Sequence, residues 1–270
     1  MDDSLALALI VGLLQGIFEW LPISSEGQIT LYLTVVEGLP VGAATRFSLF
    51  LHAGTALSAT AYYRREVAEV VRSLPAWRPA NAFERTPEVT FLAVATLASG
   101  AVGVAVYATV GEAVSALTGG AFVALVGVLL VATGLLQRAA AGAFGTRETL
   151  TLADALLVGA MQGLAILPGV SRSGGTTGAL LLRGHDGPAS FRLSFLLSIP
   201  AALGAGALVV LDEGVPALDP ATALIALSAS AVVGYLTIDA LMRIVERVAF
   251  WGVCVGLGTL AVIGGAVMLV

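Results

Sequence analysis

The chain has 270 residues, 58% of them hydrophobic and 11% charged. Soluble domains carry roughly 25% charged residues, so this composition excludes an ordinary water-soluble globule and indicates an integral membrane protein. The net charge is −5, and the single cysteine, Cys254, excludes an internal disulfide framework and a cysteine-rich metal site. No polybasic segment points to nucleic acid, all 13 basic residues are arginine, and the acidic start Met1-Asp2-Asp3 is unlike a cleavable signal.

In chain order, residues 4–18 are apolar, are interrupted by Glu19 and Pro22, and resume only over 27–36. Spans over 47–63, 89–111 and 113–137 follow, each near the 20 or so residues that cross a bilayer. A second interrupted stretch, 155–171, is broken by Pro168 and Arg172 and leaves only 173–182. Spans over 193–211, 220–238 and 248–270 complete the chain. Each trailing arm is too short to cross, since ten helical residues reach only about 15 Å. The two interrupted stretches therefore read as re-entrant helix–loop–helix hairpins, tolerated at membrane depth only where protein or a water-filled cavity surrounds the broken backbone.

The hairpins are copies of one another. Ala8-Leu9-Ile10-Val11-Gly12 recurs as Ala155-Leu156-Leu157-Val158-Gly159, Gln15-Gly16 as Gln162-Gly163, and Leu21-Pro22 as Leu167-Pro168. Arg46, Ser48, Leu51, Ala56, Leu57 and Ala59 recur as Arg192, Ser194, Leu197, Ala202, Leu203 and Ala205. A hairpin returns to its own side and three spans cross, so the second copy starts on the opposite face. The expected fold is an all-α integral membrane protein of one domain, residues 1–270. It has six transmembrane helices and two re-entrant hairpins in an inverted-topology repeat, with copies at 4–138 and 151–270 whose tips meet near the midplane.

Arginine placement sets the orientation. Arg64, Arg65, Arg72, Arg78, Arg85, Arg138, Arg147, Arg183, Arg192, Arg243 and Arg247 fall on one face. The other carries Asp2, Asp3, Glu37, Glu112, Asp212, Glu213 and Asp219 with only Arg46. The positive-inside rule makes the arginine face cytoplasmic and places both termini outside.

Arg172 stands apart, with Asp154 before it and Arg183 after it as the nearest charges. An arginine inside an apolar run is expensive and is retained to hold an anion. Ser171, Ser173 and Thr176 supply hydroxyls beside it, and Gly169, Gly174 and Gly175 supply bare backbone. In the first hairpin, alignment through the Leu-Pro pairs sets Ser25 against Ser171 and Glu26 against Arg172. Each short arm starts just after its serines, which are good N-caps. Two helix N-termini then face one cavity, with free N–H groups and positive dipole ends. Arg172 can grip a phosphate bidentately. Glu19 and Glu26 cannot hold phosphate directly, but can bind a divalent cation (Mg2+ or Ca2+) through oxygen or act as a base.

At these residues the chain resembles the undecaprenyl-pyrophosphate phosphatase (bacitracin-resistance) family. Pro168-Gly169-Val170-Ser171-Arg172-Ser173-Gly174-Gly175-Thr176 is similar to its P-G-x-S-R-S-x-x-T signature. Gln15 to Glu19 resembles its E/Q-x-x-x-E motif, and Leu21-Pro22-Ile23-Ser24-Ser25 its L-P-x-S-S. The likeness runs from about residue 5 to 260. It implies a membrane enzyme that cleaves a polyprenyl pyrophosphate lipid to the monophosphate on the outer leaflet of the cell membrane, with a divalent cation. Glu19, Ser25 and Arg172 are then the catalytic candidates, Ser25 or a water being the nucleophile. Ser24, Gln28, Ser171, Ser173, Gly174 and Thr176 are expected to bind substrate, and Glu19 and Glu26 the metal. Membrane lipids surround the protein, and a homodimer is compatible with the reading. A polyprenyl-phosphate transporter and a catalytically lapsed lipid-phosphate binder are the alternatives.

Two positions depart from the family pattern. Gln15 stands where many members have glutamate, and Gln28 where a histidine usually closes the Ser24-Ser25-Glu26-Gly27 run, so a histidine mechanism does not carry over to that position. Gln15 and Gln28 read as hydrogen-bond positioners. His52 reads as packing within its span, at a position where family members also place a polar residue, and His185 as part of a solvated cytoplasmic turn.

Overall fold

The computed structural model describes residues 3–143, 145–213, 220–245 and 247–269. Asp2, Asp219 and loop 214–219 of the acidic face lie outside the described residues, as do the side chains of Asp3, Asp212 and Glu213. The described residues form α1 (Asp3–Phe18), α2 (Ser25–Leu31), α3 (Val41–Tyr62), α4 (Arg64–Ser73), α5 (Ala82–Arg85) and α6 (Pro87–Ser115). They continue with α7 (Gly119–Ala140), α8 (Leu152–Leu164), α9 (Arg172–Leu182), α10 (Gly187–Glu213), α11 (Pro220–Val245) and α12 (Phe250–Met268).

Helix starts follow local chemistry. Pro87 opens α6, where its missing N–H costs nothing. The Thr151 hydroxyl and the Asp154 carboxylate form a capping box at the start of α8. Among the described residues α6, α7, α10, α11 and α12 are long and apolar enough to cross a bilayer. α3 has the same 22 residues as α7, but Arg46, Ser48, His52, Thr55 and Ser58 make it more polar.

α1 with α2 and α8 with α9 form the two expected hairpins, and the packing around them is matched. α1 lies on α11 as α8 lies on α6, while α3 packs on α10 and α7 on α12. Small residues make the close approaches that lipid-embedded helices use in place of a hydrophobic driving force. A Cβ on Gly12 would fall 2.6 Å from the Ala226 carbonyl oxygen, and one on its counterpart Gly159 would fall 2.5 Å from that of Ala95. Between α7 and α12 the contact is reciprocal: a Cβ on Gly127 or on Gly258 would lie 2.6 Å from the other's carbonyl oxygen.

Several expected boundaries move. The first span starts at Val41 and takes in Arg46, and the second runs on to Ser115, so 113–115 belong to it and not to the third. The arm expected over 27–36 is α2 followed by a π-type turn over Tyr32–Val36. His185 is not in a solvated turn. It is 2% exposed, with Nδ1 2.9 Å from the Arg147 carbonyl oxygen and Nε2 3.5 Å from Asp154. Asp154 also pairs with Arg183 at 2.6 Å, which ties the start of α8 to the end of α9 and closes the base of the second hairpin.

Gly127→Val is expected to lower the unfolding temperature in detergent, at a cost of about 1–3 kcal/mol for overpacking a filled contact. Gly256→Ala, on the same helix as Gly258 but with open space beside it, is expected to leave the temperature unchanged.

Candidate active site

The two hairpin tips meet, and they are bonded to each other. α2 is capped by Ser24, whose oxygen accepts from Gly27 N–H at 3.3 Å within its own hairpin and from Gly169 N–H at 3.1 Å in the other. To reach both, Ser24 takes a left-handed backbone with φ 61°, the only positive φ on a non-glycine among the described residues. That conformation costs on the order of 1–3 kcal/mol, which the two hydrogen bonds offset. α9 is capped in the same way by Ser171, which accepts from Gly174 N–H at 3.2 Å. The caps therefore match Ser24 with Ser171, not Ser25 with Ser171, because the second loop has one more residue between its proline and its cap. Gly169 takes up that extra residue at φ 104°.

Glu19, the first residue beyond α1, is 5% exposed and is the centre of the arrangement. Its Oε1 accepts from Arg172 Nη2 at 2.5 Å. Its Oε2 accepts from Ser25 Oγ at 2.8 Å and Gln15 Nε2 at 3.0 Å, with His52 Nε2 at 3.3 Å. Arg172 also donates to the Ser194 carbonyl oxygen and lies over the Phe195 ring at 5.6 Å. The expected glutamate, serine and arginine are thus brought together from both hairpins. His52, read above as packing, belongs with them: the structure turns its ring from α3 onto Glu19 and into the cavity.

That cavity has a volume of about 400 Å³. Glu19, Ser24, Ser25, Glu26, His52, Ser171, Arg172 and Ser173 supply its charged and hydroxyl-rich end, and α6, α8, α10 and the second-hairpin loop line the rest, mostly with small and apolar residues such as Gly100, Val104, Ala201 and Leu208. A charged end joined to an apolar trough suits an amphiphile with an anionic head.

Three expected substrate contacts are otherwise engaged. Thr176 is fully buried and bonds the Arg172 carbonyl oxygen and Ser194 Oγ, so it fixes the backbone behind Arg172. Gly174 packs against Gln137 and faces a second cavity toward the arginine-rich side. Gln28 donates to the Ile23 carbonyl oxygen at 3.3 Å and holds the first loop. The two carboxylates also differ. Both Glu19 oxygens accept from N–H or O–H donors, including a guanidinium, so the residue does not fit a metal ligand in this arrangement. Glu26 is 4% exposed, lines the cavity and has an Oε1 without a partner, which fits one ligand of a cation. Among the described residues no three or more histidine, cysteine, aspartate or glutamate side chains form a cluster able to hold a metal on their own.

Removing one member of a buried ion pair strands the other charge, at a cost of about 3–5 kcal/mol. Arg172→Gln alone is therefore expected to destabilise the protein more than Glu19→Gln with Arg172→Gln together, as read by unfolding in detergent. Additive losses would show that the pair does not couple the tips.

Comparison with known proteins agrees with this geometry. Residues 8–261 match the family model described as bacitracin resistance protein BacA. An undecaprenyl-diphosphatase of Haloarcula marismortui is 55% identical over 97% of this chain and 98% of its own length. Undecaprenyl-diphosphatases of Methanococcoides burtonii and Methanopyrus kandleri are each 38% identical, over 96% and 95% of this chain and 98% and 94% of their own lengths. The chain belongs to the bacitracin resistance protein BacA family.

Proposed function

We propose that the protein hydrolyses a long-chain polyprenyl diphosphate, of undecaprenyl or dolichyl type, to the monophosphate and phosphate, recycling a lipid carrier. The observation that carries this reading is the joining of Ser25, Glu19 and Arg172 at the polar end of an apolar trough. The diphosphate head lies between the two helix N-termini and the prenyl chain follows the trough. Glu19 accepts the Ser25 proton through the existing 2.8 Å bond as Oγ attacks the terminal phosphorus. The new serine–phosphorus bond replaces the bond to the bridging oxygen, which leaves with the lipid monophosphate, and water then releases phosphate. Arg172 neutralises the charge that develops on the transferring group. A divalent cation bound to the diphosphate would have Glu26 as its protein ligand and would supply further charge neutralisation.

We also read α3 as a sixth span and the two copies as inverted. The cavity is lined by the middle of α6, at Ser99, Gly100 and Gly103, and by the half of α10 that runs toward Leu211, the acidic side, which supports an outward opening. In a Cys254→Ala background, cysteines at Ala80 and Gly38 are expected to react with an impermeant reagent from opposite sides, Gly38 from outside. Reaction from one side would remove the inverted topology.

A second reading, passage of the lipid phosphate through the protein, is favoured by the cavity of about 510 Å³ behind the second tip, which shares Ser173 with the first. Phosphate release from undecaprenyl diphosphate by purified protein separates the two. Hydrolysis is expected, with at least about a hundredfold loss in Glu19→Gln and in Ser25→Ala, as for removal of a base or a nucleophile. A Ser25→Ala variant of near wild-type rate would transfer the attack to water, and no release by the wild type would leave passage or binding alone.

A further inference from the structure

Among the described residues, two side chains that line the cavity carry a buried oxygen without a hydrogen-bond partner, Glu26 Oε1 and Gln162 Oε1. The hydrolytic scheme offers the first a cation and leaves the second without a task. Gln162 is the repeat counterpart of Gln15, but the two amides are used differently. Gln15 donates to Glu19, four residues on, whereas the residue four beyond Gln162 is Ile166. With no carboxylate to brace, the Gln162 amide donates through Nε2 to the Leu197 carbonyl oxygen at 3.4 Å. A carbonyl oxygen only accepts, so this bond sets the amide's orientation and leaves Oε1, an acceptor, to the cavity. The backbone is fixed as well. A Cβ on Gly159 or on Gly163 would fall 2.5 Å or 2.8 Å from the Ala95 or Ser99 carbonyl oxygen of α6.

The place of this acceptor follows from α10. Arg172 donates to the Ser194 carbonyl oxygen and Gln162 to that of Leu197, three residues further on. The two anchor points are about 4.5 Å apart along the helix axis, with that of Gln162 on the side of the trough. In the first chemical step the lipid monophosphate leaves toward the trough, opposite Ser25. Attacking and leaving oxygens lie in line in phosphoryl transfer, so the water that cleaves the serine ester enters from the side the lipid vacated. That side is mostly apolar, and a water is held there only by two or more polar partners. Ser198, next to Leu197, also lines the cavity, and it gives its own hydrogen to the Phe195 carbonyl oxygen at 2.7 Å, so its Oγ is free to accept.

We propose that Gln162, with Ser198, holds the water that releases phosphate from Ser25. This rests on the reading of Ser25 as the nucleophile. The water donates to Gln162 Oε1 and to Ser198 Oγ, which turns a lone pair to the phosphorus. Its oxygen bonds the phosphorus as the bond from Ser25 Oγ breaks. Oγ recovers from Glu19 the proton it gave up, and both hydrogens of the water leave with the phosphate.

Undecaprenyl diphosphate carrying 32P in its terminal phosphate, mixed with an equal amount of purified protein, separates the two steps. Lipid monophosphate reports the first, free phosphate the second, and acid-stable label on the protein the intermediate. Gln162→Met keeps the volume and removes the acceptor. It is expected to form lipid monophosphate at the wild-type rate, to release phosphate about tenfold more slowly, the scale of one hydrogen bond, and to accumulate label on Ser25. Ser198→Ala is expected to slow the same step alone. Equal slowing of both steps in Gln162→Met and in Ser198→Ala, or phosphate release at the wild-type rate in Gln162→Met, overturns the proposal. If Ser25→Ala turns over near the wild-type rate and no protein is labelled, the serine reading falls and the proposal with it. If Ser25→Ala is inactive while Gln162→Met matches the wild type, the proposal alone falls.

Discussion

The bond between Glu19 and Arg172 is the constraint from which the rest of the architecture follows. Each residue sits at the break of a helical hairpin, and each would be expensive alone in apolar surroundings. Together, at 2.5 Å, they neutralise one another and join the two hairpin tips. The backbone bond from Gly169 to Ser24 makes a second tie between the tips. Around this junction the glycine contacts of α1 on α11 and of α8 on α6 hold the long arms of the hairpins. The short arms are left to present their N-termini to the cavity.

A site built this way is rigid where chemistry needs it. Ser25 points at Glu19 because Ser24, one residue earlier, is locked in a left-handed conformation by two N–H donors. Arg172 is held by the Ser194 carbonyl oxygen and the Phe195 ring on α10, and its backbone by Thr176. Hydroxyls that read as ligands in the sequence thus divide into those that face the cavity and those that brace the residues facing it. The division follows from helical spacing: Thr176 is one turn beyond Arg172 and points back into the protein, while Ser171 and Ser173 flank the tip.

Much of this was legible in the sequence. Apolar stretches cut by proline and a lone charge, with trailing arms of ten residues too short to cross a bilayer, announced the two helical hairpins. Recurrence of Gly12 and Gly16 as Gly159 and Gly163 announced a duplicated packing surface. What stayed hidden depended on distances between elements. The cap match slipped by one residue because the second loop holds an extra residue, which Gly169 takes up at a positive φ. His52 resembled a packing residue because its partner, Glu19, lies on the first hairpin, and its position within α3 carries no sign of where the ring points. His185 resembled a solvated turn because the Arg147 carbonyl and Asp154 that bury it come from a separate segment.

The central claim is that an anionic diphosphate binds between the two tips, against Arg172 and beside Ser25. An experimental structure with a non-hydrolysable methylene-bridged analogue of undecaprenyl diphosphate tests it most directly. The terminal phosphonate is expected within hydrogen-bonding distance of Arg172 and in line with Ser25 Oγ, with the prenyl chain along α6 and α10. An analogue seated elsewhere, with the bond between Glu19 and Arg172 sealed off from it, would contradict the claim.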